Sequence, residues 1–239
     1  MMEWFEEFGF DENPFSTDPA FSARSSVGLD KSLAELEYHI NSGSIIFVDG
    51  AEGSGKSVLL QKLFSKLGRR AVRVDAAAAD VNIRAVVKSK TSIFDRLLGN
   101  NPKDIVLIVD NAAALSPSSL EQLKYHYDNN HFGTVVLAGT SLKSSGLSAS
   151  VLDRIGNRVV KIAALSEEDA LLMVRNRLGS SELFNEEIVR KIYKLSGRNA
   201  KKFLHLCESA FKNAAAAKSS VIEEEHLASL NKSVGEIRG

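Results

Sequence analysis

Residues 50–57 read GAEGSGKS, which fits the pattern of a glycine, any four residues, and then Gly-Lys-Ser. An apolar run at 44–49 leads into this stretch, and an apolar stripe of helical period leads out of it from 56 to 67. A strand, a loop and a helix in that order form the context in which the pattern holds phosphate. The alternative is a glycine-rich turn before an ordinary helix, but such a turn needs neither the lysine nor the serine. We therefore predict a phosphate-binding loop at the start of a helix.

Each residue type in this loop has a chemical reason. The glycines let backbone N–H groups approach phosphate, and the helix N-terminus adds partial positive charge. Lys56 reaches the outer phosphates, and the Ser57 hydroxyl can bind Mg²⁺. We therefore expect ATP and Mg²⁺ as the ligands. The predicted nucleotide-binding positions of the loop are Gly50, Ala51, Glu52, Gly53, Ser54, Gly55, Lys56, Ser57 and Val58.

The composition is that of an ordinary globular protein. Of the 239 residues, 44% are hydrophobic and 25% are charged, and 30 basic residues balance 30 acidic ones. No global charge therefore draws the chain to nucleic acid or to a membrane surface. The single cysteine, Cys207, excludes an internal disulfide and is expected in a core. The acidic N-terminus and the lack of any apolar stretch of about 18 residues predict a cytoplasmic protein without membrane insertion.

Short apolar runs alternate with helical patterns through most of the chain. The runs at 105–109 and 134–138 are continuously apolar, as expected of strands buried on both faces of a parallel sheet. Strands that alternate with helices specify such a sheet. We predict an α/β fold of the P-loop NTPase type, with a five-stranded parallel sheet covered by helices. The predicted strands are 44–49, 71–75, 105–109, 134–138 and 158–163. The predicted helices among them are 31–41 with Asp30 as N-cap, 56–67, one or two helices over about 82–98, and one that starts at Pro117.

After about residue 165 the pattern becomes purely helical. Ser166 and Asn185 are predicted N-caps, and the predicted helices are 167–178, 185–196, 199–218 and 223–230. We assign 1–164 to the nucleotide-binding domain, 165–232 to a small C-terminal four-helix lid, and 233–239 to a flexible tail. Aromatic residues in the N-terminal arm are expected to pin that arm onto the nucleotide-binding domain; they are Trp4, Phe5, Phe8 and Phe10.

Asp110 ends the buried strand at 105–109 and is the predicted second ligand of Mg²⁺, beside Ser57. The alternative is an aspartate that only caps the strand or the next turn. Asn111 follows it where an active hydrolase of this type commonly has an acid. An amide can position water but cannot accept its proton, and a general base is worth about 10²- to 10⁴-fold in rate. We therefore predict ATP binding with slow hydrolysis, unless Glu52 or Glu121 replaces the missing acid.

Two further side chains are candidates for the reaction. Thr140 follows the strand at 134–138 and can sense the γ-phosphate or align the water; a hydroxyl that satisfies backbone groups is the alternative. Arg154 precedes the fifth strand and can reach the γ-phosphate bound by a neighbouring subunit. Its alternative is a structural ion pair with Asp153 or another acid, and Arg158 competes for the same role.

The order of these motifs resembles that of the AAA+ ATPases, and within them the origin-recognition initiators, the transposition helper ATPases and the ExeA-type ATPases. The resemblance rests on GAEGSGKS, IVLIVDN, TVVLAGT, LDRIGNRV and LSEEDA, with the leader FGFDENPF ahead of the first helix. It covers about residues 8 to 230. It implies that nucleotide binds between the sheet domain and the lid, that neighbours in a ring or filament complete the site, and that the partners are DNA or other proteins.

The chain departs from the family at three points. Asn111 replaces the usual glutamate, which puts hydrolysis in doubt. In the lid the family has a nucleotide-sensing arginine a few residues after a glycine. Here Gly197 is followed by Arg198 and Lys201, and either of these could take that role. Their positions on the predicted helix favour Lys201. The initiators usually add a winged-helix DNA-binding domain after the lid, and we expect none here. Two basic clusters are candidates for DNA contact: Arg84 with Lys88 and Lys90, and Lys62 with Lys66, Arg69 and Arg70. Without interleaved aromatic residues, such clusters are more often solvated helix faces.

These observations favour an ATP-binding AAA+ ATPase, or ATP-dependent assembly switch, that oligomerises with nucleotide at its subunit interfaces. We expect a homo-oligomer in the ATP state, a protein partner, and DNA as a less supported partner. A non-catalytic nucleotide-binding scaffold is one alternative, and Asn111 is the reason for it. A small-molecule phosphotransferase is the other, although the chain shows no second arginine cluster for an acceptor. Mg²⁺ is the only metal expected, because the histidines and the cysteine lack metal-ligand spacing.

Overall fold

The computed structural model describes residues 3–78, 81–90, 105–179, 183–227 and 230. Several sequence predictions therefore lie outside the described residues: the end of the helix at 82–98, part of the helix at 223–230, and the tail at 233–239. Within the described part, none of the helices is long and apolar enough to cross a membrane.

The strands and helices follow the predicted alternation. The strands are β1 (Ile45–Asp49), β2 (Ala71–Asp75), β3 (Val106–Asp110), β4 (Thr134–Gly139) and β5 (Val159–Lys161). The α-helices are α1 (Pro19–Arg24), α2 (Asp30–Asn41), α3 (Lys56–Leu67), α4 (Ile83–Lys90), α5 (Pro117–Asp128), α6 (Ala149–Ile155), α7 (Glu167–Leu178), α8 (Glu186–Ser196) and α9 (Ala200–Ala216). Short 3₁₀ helices cover Glu6–Phe8, Gly68–Arg70, Ala112–Ala114 and Glu224–Leu227.

The five strands form one parallel sheet in the order β2-β3-β4-β1-β5, which confirms the predicted α/β fold. Every residue of β3 and β4 is buried. Burial on both faces explains why these strands read as continuous apolar runs rather than alternating ones. The carboxyl ends of β2, β3, β4 and β1 therefore meet at one edge of the sheet, and the loop at 50–55 leaves β1 at that edge.

Each face of the sheet has its own apolar core. On one face Ile46, Val48 and Ile108 pack with residues of α2 and α3, such as Leu36 and Leu59. On the other face the alternate strand residues pack against α4, α5 and α6; they include Phe47, Leu107, Val109, Val135 and Leu137. Because successive strand residues point to opposite faces, adjacent residues of one strand serve different cores.

Local side-chain contacts explain where several helices begin. Ser116 precedes Pro117, and its hydroxyl accepts a hydrogen bond from the Ser119 N–H at 3.2 Å. Ser166 caps α7 in the same way, as the sequence predicted. Asp30 differs from its prediction: Leu29 is the N-cap of α2, and Asp30 is its first helical residue. There the carboxylate still complements the positive end of the helix dipole.

The chain divides into two compact units, Leu29–Ile162 and Met1–Gly28 with Ala163–Gly239. The first holds the sheet, and the second holds the C-terminal helices. The division corrects the assignment of the N-terminal arm, because residues 1–28 belong with the helical unit and not with the sheet. Periodicity and composition within the arm carry no information on which surface receives it.

Aromatic packing is the physical reason for the position of the arm. Phe15 is fully buried, and its ring lies 5.0 Å from that of Phe211 on α9 and 6.5 Å from that of Phe184, measured between centroids. Phe8 packs on Phe211 at 4.9 Å, and Trp4 does so at 6.0 Å. Aromatic side chains bury the largest areas of any residues, so these contacts hold the arm on the helical unit.

Arg177 on α7 ties the arm to the helical unit through polar contacts. Its guanidinium donates to the carbonyl oxygens of Pro14 and Ser16 and to the hydroxyl of Ser22. It also lies 5.4 Å from the centroid of the Phe21 ring. Burial lowers the pKa of this guanidinium to about 10. The fold thus buries a cation to satisfy backbone carbonyls in and just after the turn at 14–15.

The helical unit contains α7, α8, α9 and a final 3₁₀ turn. The predicted fourth helix of the lid is 3₁₀ over Glu224–Leu227, and residues 228–229 lie outside the described part. Cys207 on α9 is fully buried and free, and burial raises the pKa of its thiol. This agrees with the prediction of a core cysteine.

Candidate nucleotide-binding site

The loop between β1 and α3 adopts backbone conformations that need glycine. Gly53 and Gly55 have φ angles of 72° and 103°, in the region that residues with a Cβ rarely adopt. Gly55 is the N-cap of α3, and its carbonyl accepts the Leu59 N–H at 2.9 Å. The helix therefore starts at Lys56 with its first N–H groups directed towards the loop, as a phosphate site requires.

Gly50 is needed for a different reason, which is space. A Cβ at this position would lie 2.7 Å from Ser54 Oγ and 3.2 Å from the Cβ of Ile162. Among the described residues, Ser54 Oγ is buried without a hydrogen-bond partner. A buried hydroxyl without a partner costs free energy, so this atom fits a loop that receives polar ligand atoms.

Lys56 is a buried cation at the first position of α3. It is 9% exposed, and its Nζ donates to the carbonyl oxygens of Gly50 at 2.6 Å and Ala51 at 2.9 Å. Burial lowers the pKa of its ammonium, and the nearby carboxylates of Asp110, Glu52 and Asp49 oppose that shift. Within the described residues this buried ammonium has two acceptors, so its third N–H can donate to a phosphate oxygen.

The remaining predicted loop positions surround Lys56. Ala51 and Glu52 are exposed on the outside of the loop, and Ser57 and Val58 are half-buried in the first turn of α3. Ser54 N–H donates to the Ala51 carbonyl at 3.2 Å, which closes a turn in the loop. The predicted loop residues thus form one continuous cradle after β1.

Asp110 lies at the carboxyl end of β3 and is 2% exposed. Its Oδ2 accepts from Arg73 Nη2 at 3.2 Å, and its Oδ1 accepts from the Asn111 N–H at 3.0 Å. Arg73 also donates to Gln61, which stands one turn after Ser57 on α3. A buried carboxylate and a hydroxyl are the hard oxygen ligands that Mg²⁺ prefers, so the donor set fits this ion.

Asn111 follows Asp110 in the left-handed region, with φ of 54°. Asparagine tolerates this conformation better than glutamate does, which is a physical reason for the residue found here. Its side-chain amide donates to Asp75 Oδ1 at 2.8 Å. The amide is therefore engaged with a carboxylate at the end of β2.

Thr140 follows β4 and is exposed. Because β4 pairs with both β1 and β3, this residue lies at the same edge of the sheet as the loop and Asp110. Gly139 before it has no space for a Cβ, which would lie 2.8 Å from Cζ of Phe47. The sheet therefore brings Thr140, Asp110, Asn111 and the loop to one edge.

Arg154 does not lie at this edge. It stands at the end of α6, close to the start of β5, and forms an ion pair with Asp128 at the end of α5. Helix α5 precedes β4 and helix α6 precedes β5, so Asp128 and Arg154 come just before the amino ends of these strands. The phosphate loop, in contrast, follows the carboxyl end of β1. Arg158 donates to the carbonyl oxygens of Arg154 and Ile155 and so caps α6. The predicted role in a neighbouring site stays a prediction.

The lid candidates belong to the helical unit. Lys201 is exposed in the first turn of α9, whose N-cap is Asn199. Arg198 has φ of 66°, and its carbonyl accepts the Leu165 N–H at 3.1 Å. The choice between Arg198 and Lys201 as a nucleotide-sensing residue stays a prediction.

Sequence reasoning missed two polar residues of β2, Arg73 and Asp75. Both point to the same face, since they are two positions apart in a strand. The sequence did contain a signal, because β2 and β3 each end in an aspartate. The register that pairs Asp75 with Asp110 is a tertiary property and needed the structure.

No family model matches the chain, and no curated protein matches its sequence. Solved structures do match it. Cdc6p from Pyrobaculum aerophilum has a TM-score of 0.70 at 16% identity and covers 94% of this chain and 71% of its own. The Orc1 protein of Aeropyrum pernix, solved in complex with DNA, has a TM-score of 0.69 at 14% identity over 92% of this chain and 68% of its own.

Domain III of the replication initiation protein DnaA from Thermotoga maritima has a TM-score of 0.66 at 17% identity. The match covers 90% of this chain and 97% of that domain. These structures are AAA+ ATPases, and their similarity extends over both the sheet and the C-terminal helices of the chain. The chain therefore has the P-loop α/β fold of the AAA+ ATPases.

Proposed function

We propose that the chain binds ATP with Mg²⁺ and acts as an ATP-dependent assembly switch whose hydrolysis is slow. One observation carries this proposal. Lys56 is buried beneath a loop with glycine-specific geometry, and the buried carboxylate of Asp110 lies close enough to act on its charge. A buried cation and a buried anion near a helix start support the binding of a nucleotide phosphate with its metal.

The chain's own residues divide the work of binding. The loop N–H groups and Lys56 would hold phosphate oxygens, and Ser57 and Asp110 would hold the metal ion, which would neutralise phosphate charge. The guanidinium of Arg73 forms an ion pair with the carboxylate of Asp110 and balances its negative charge. Asp110 would have to release Arg73, at least in part, in order to hold a divalent cation, because both would bind the same carboxylate.

Assembly is the second part of the proposal. Thr140, at the same edge of the sheet as the loop, is proposed to sense the γ-phosphate, and Lys201 is the proposed sensor from the helical unit. Arg154 is proposed to complete the site of a neighbouring copy, since it lies away from the loop of its own chain; it would first have to leave its ion pair with Asp128. The likeness to replication initiators in fold supports this proposal but does not supply the partner.

Two measurements test binding and assembly. At about 100 times its dissociation constant, ATP with Mg²⁺ should stabilise the protein by roughly 2.7 kcal/mol in a thermal unfolding experiment. The same ATP should shift the protein to an earlier elution volume in size-exclusion chromatography. Lys56→Ala should lose both effects, whereas Lys31→Ala, an exposed lysine of α2, should retain both. A wild-type protein that ATP neither stabilises nor assembles would refute the proposal.

We propose a protein as the first partner and DNA as the second. Orc1 of Aeropyrum pernix was solved with DNA, which motivates testing DNA here. Two lysines of the basic cluster on α3 are already in ion pairs, Lys62 with Asp30 and Lys66 with Glu37. Such pairing is typical of a solvated helix face and favours the protein partner. Binding to duplex DNA that weakens steeply with salt, only in the presence of ATP, would favour DNA.

A non-catalytic scaffold is the second candidate function. The observation that favours it is Asn111, which cannot accept a proton and whose amide is held by Asp75. A scaffold binds ATP and assembles without turnover. Single-turnover measurement of ADP formation with protein in excess over ATP separates the two functions.

A further inference from the structure

Asp75 and Asn111 form a carboxylate–amide pair across the ends of β2 and β3. The Asn111 amide donates to Asp75 Oδ1 at 2.8 Å, and the two strands are hydrogen-bonded neighbours. An AAA+ hydrolase of the expected type would have a carboxylate at position 111. The chain has the amide there and the carboxylate one strand away.

The carboxylate of Asp75 is oriented and accessible. Its Oδ1 accepts two hydrogen bonds, from the Asn111 amide and from the Ala77 N–H at 2.9 Å. Within the part of the chain that the structure describes, no hydrogen bond to its Oδ2 is found, and the residue is exposed. One oxygen therefore fixes the group, and the other can receive a proton from water.

Two other carboxylates, Asp110 and Glu121, are less suited to this task. Asp110 is buried, and both its oxygens already accept hydrogen bonds. Glu121 on α5 forms an ion pair with Lys124. Asp75, in contrast, is hydrogen-bonded to the very residue that stands at the expected position of the base.

The polar face of β2 also reaches the metal-binding end of α3. Arg73, two residues before Asp75 on the same face of the strand, contacts both Asp110 and Gln61. Gln61 lies one turn after Ser57, the proposed metal ligand. The end of β2 thus belongs to the same polar cluster as the proposed metal ligands.

We propose that Asp75 is the general base of ATP hydrolysis and that Asn111 is the positioning residue that orients it. The water oxygen forms a bond to the γ-phosphorus while one of its protons passes to Asp75 Oδ2. The bond between the γ-phosphorus and the bridging oxygen breaks, and that oxygen leaves with the electron pair as part of ADP. Asp75 then returns its proton to solvent. This inference rests on the proposed ATP-binding function and names the residue that ends the ATP state.

Asp75→Asn is the direct test, because it removes the charge and keeps an oxygen that can accept from Asn111 and Ala77. ADP formation in single turnover should fall by about 10²- to 10⁴-fold. ATP affinity by titration calorimetry should stay within about threefold of wild type, and the ATP-assembled species should persist longer in size-exclusion runs. Asp11→Asn makes the same chemical change at an exposed site in the arm and should leave all three readouts unchanged.

A second variant tests the pair as a unit. Asp75→Asn combined with Asn111→Asp exchanges the two groups without changing side-chain size, and aspartate also tolerates the left-handed backbone of position 111. This double variant should hydrolyse ATP at least tenfold faster than Asp75→Asn alone. A double variant as slow as Asp75→Asn would contradict the role of the pair.

The remaining outcomes separate this inference from the proposed function. Wild-type turnover in Asp75→Asn, or a parallel loss of ATP affinity and turnover, would overturn the role of Asp75 as base. A wild-type protein that binds ATP but forms no ADP would overturn it too and leave the assembly switch standing. A wild-type protein that does not bind ATP would instead refute the proposed function itself.

Discussion

Arg154 and Asp128 form a bidentate ion pair that joins the ends of α5 and α6. Arg154 Nε donates to Asp128 Oδ1 at 3.0 Å, and Nη2 donates to Oδ2 at 2.8 Å. Nη1 donates to the Ser150 carbonyl at 2.8 Å. The guanidinium proposed to serve a neighbouring copy is thus fully engaged within its own chain, and it must leave Asp128 before it can bind phosphate.

The first prediction follows from this exchange of Asp128 for phosphate as the partner of Arg154. Asp128→Asn should strengthen ATP-dependent self-association, because the arginine is then released at a smaller cost. Partly exposed ion pairs contribute about 0.2–1 kcal/mol, so the gain should be at most about fivefold in the association constant. Sedimentation velocity over a concentration series with ATP measures it. Asp153→Asn, on the same helix as Arg154, serves as the control, and weaker association in Asp128→Asn would contradict the exchange.

The second prediction concerns the cost of burying Lys56. Since burial lowers the pKa of this ammonium, the folded state disfavours its charge relative to the unfolded state. Lys56→Met keeps the aliphatic stem and removes the charge, so the nucleotide-free protein should melt at an equal or higher temperature, by about 2–4 °C for each kcal/mol gained. The stabilisation by ATP should vanish. A lower melting temperature without ATP would show that Lys56 stabilises the loop.

The parts of this molecule that sequence could predict are the local ones. The strand before Gly50, the loop and α3 are contiguous, and each residue type there has its own physical reason. The buried runs ending at Asp110 and Gly139 were likewise visible, because a strand covered on both faces must be apolar throughout. The position of Asp110 near Lys56 then follows from the parallel arrangement of β1, β4 and β3.

The parts that sequence could not predict depend on which surfaces meet. Phe15 and Phe8 are visibly apolar, but only the structure shows that α9 and not the sheet receives them. Asp75 resembles any strand-end acid until the register places it opposite Asp110. Arg154 had two interpretations from sequence, and its partner Asp128 is 26 residues away, which no helical spacing could indicate.

The third prediction concerns pH. His126 is buried on α5, and its Nδ1 lies 2.9 Å from Nδ1 of His131, so one ring must donate and the other accept. Burial, then His131, then Arg84 lower the pKa of His126 below its ordinary value of 6.5. Below pH 6.5 the unfolded chain therefore binds more protons than the folded one, and stability falls as the pH decreases.

Chemical denaturation between pH 7.5 and 5.5 measures this effect. The slope attributable to one group cannot exceed about 1.4 kcal/mol per pH unit, because a single proton is involved. His126→Gln should flatten the dependence, whereas His205→Gln, at an exposed histidine of α9, should leave it unchanged. Equal slopes for wild type and His126→Gln would contradict the proposed source of the pH dependence.

The fourth prediction concerns the N-terminal arm. Arg177→Ala removes the donor to the carbonyl oxygens of Pro14 and Ser16 and to the Ser22 hydroxyl, and it leaves those acceptors in a partly buried place. Unsatisfied buried groups of this kind cost about 1–3 kcal/mol each, and the arm should detach before the helical unit unfolds. Limited proteolysis should then cut within residues 3–24, and the backbone N–H of Phe15 should exchange faster with solvent. Arg175→Ala is the matched control on the same helix, because Arg175 is exposed and pairs with Glu186 at the surface. Equal protection of the arm in both variants would show that the aromatic contacts of Phe15 hold it without Arg177.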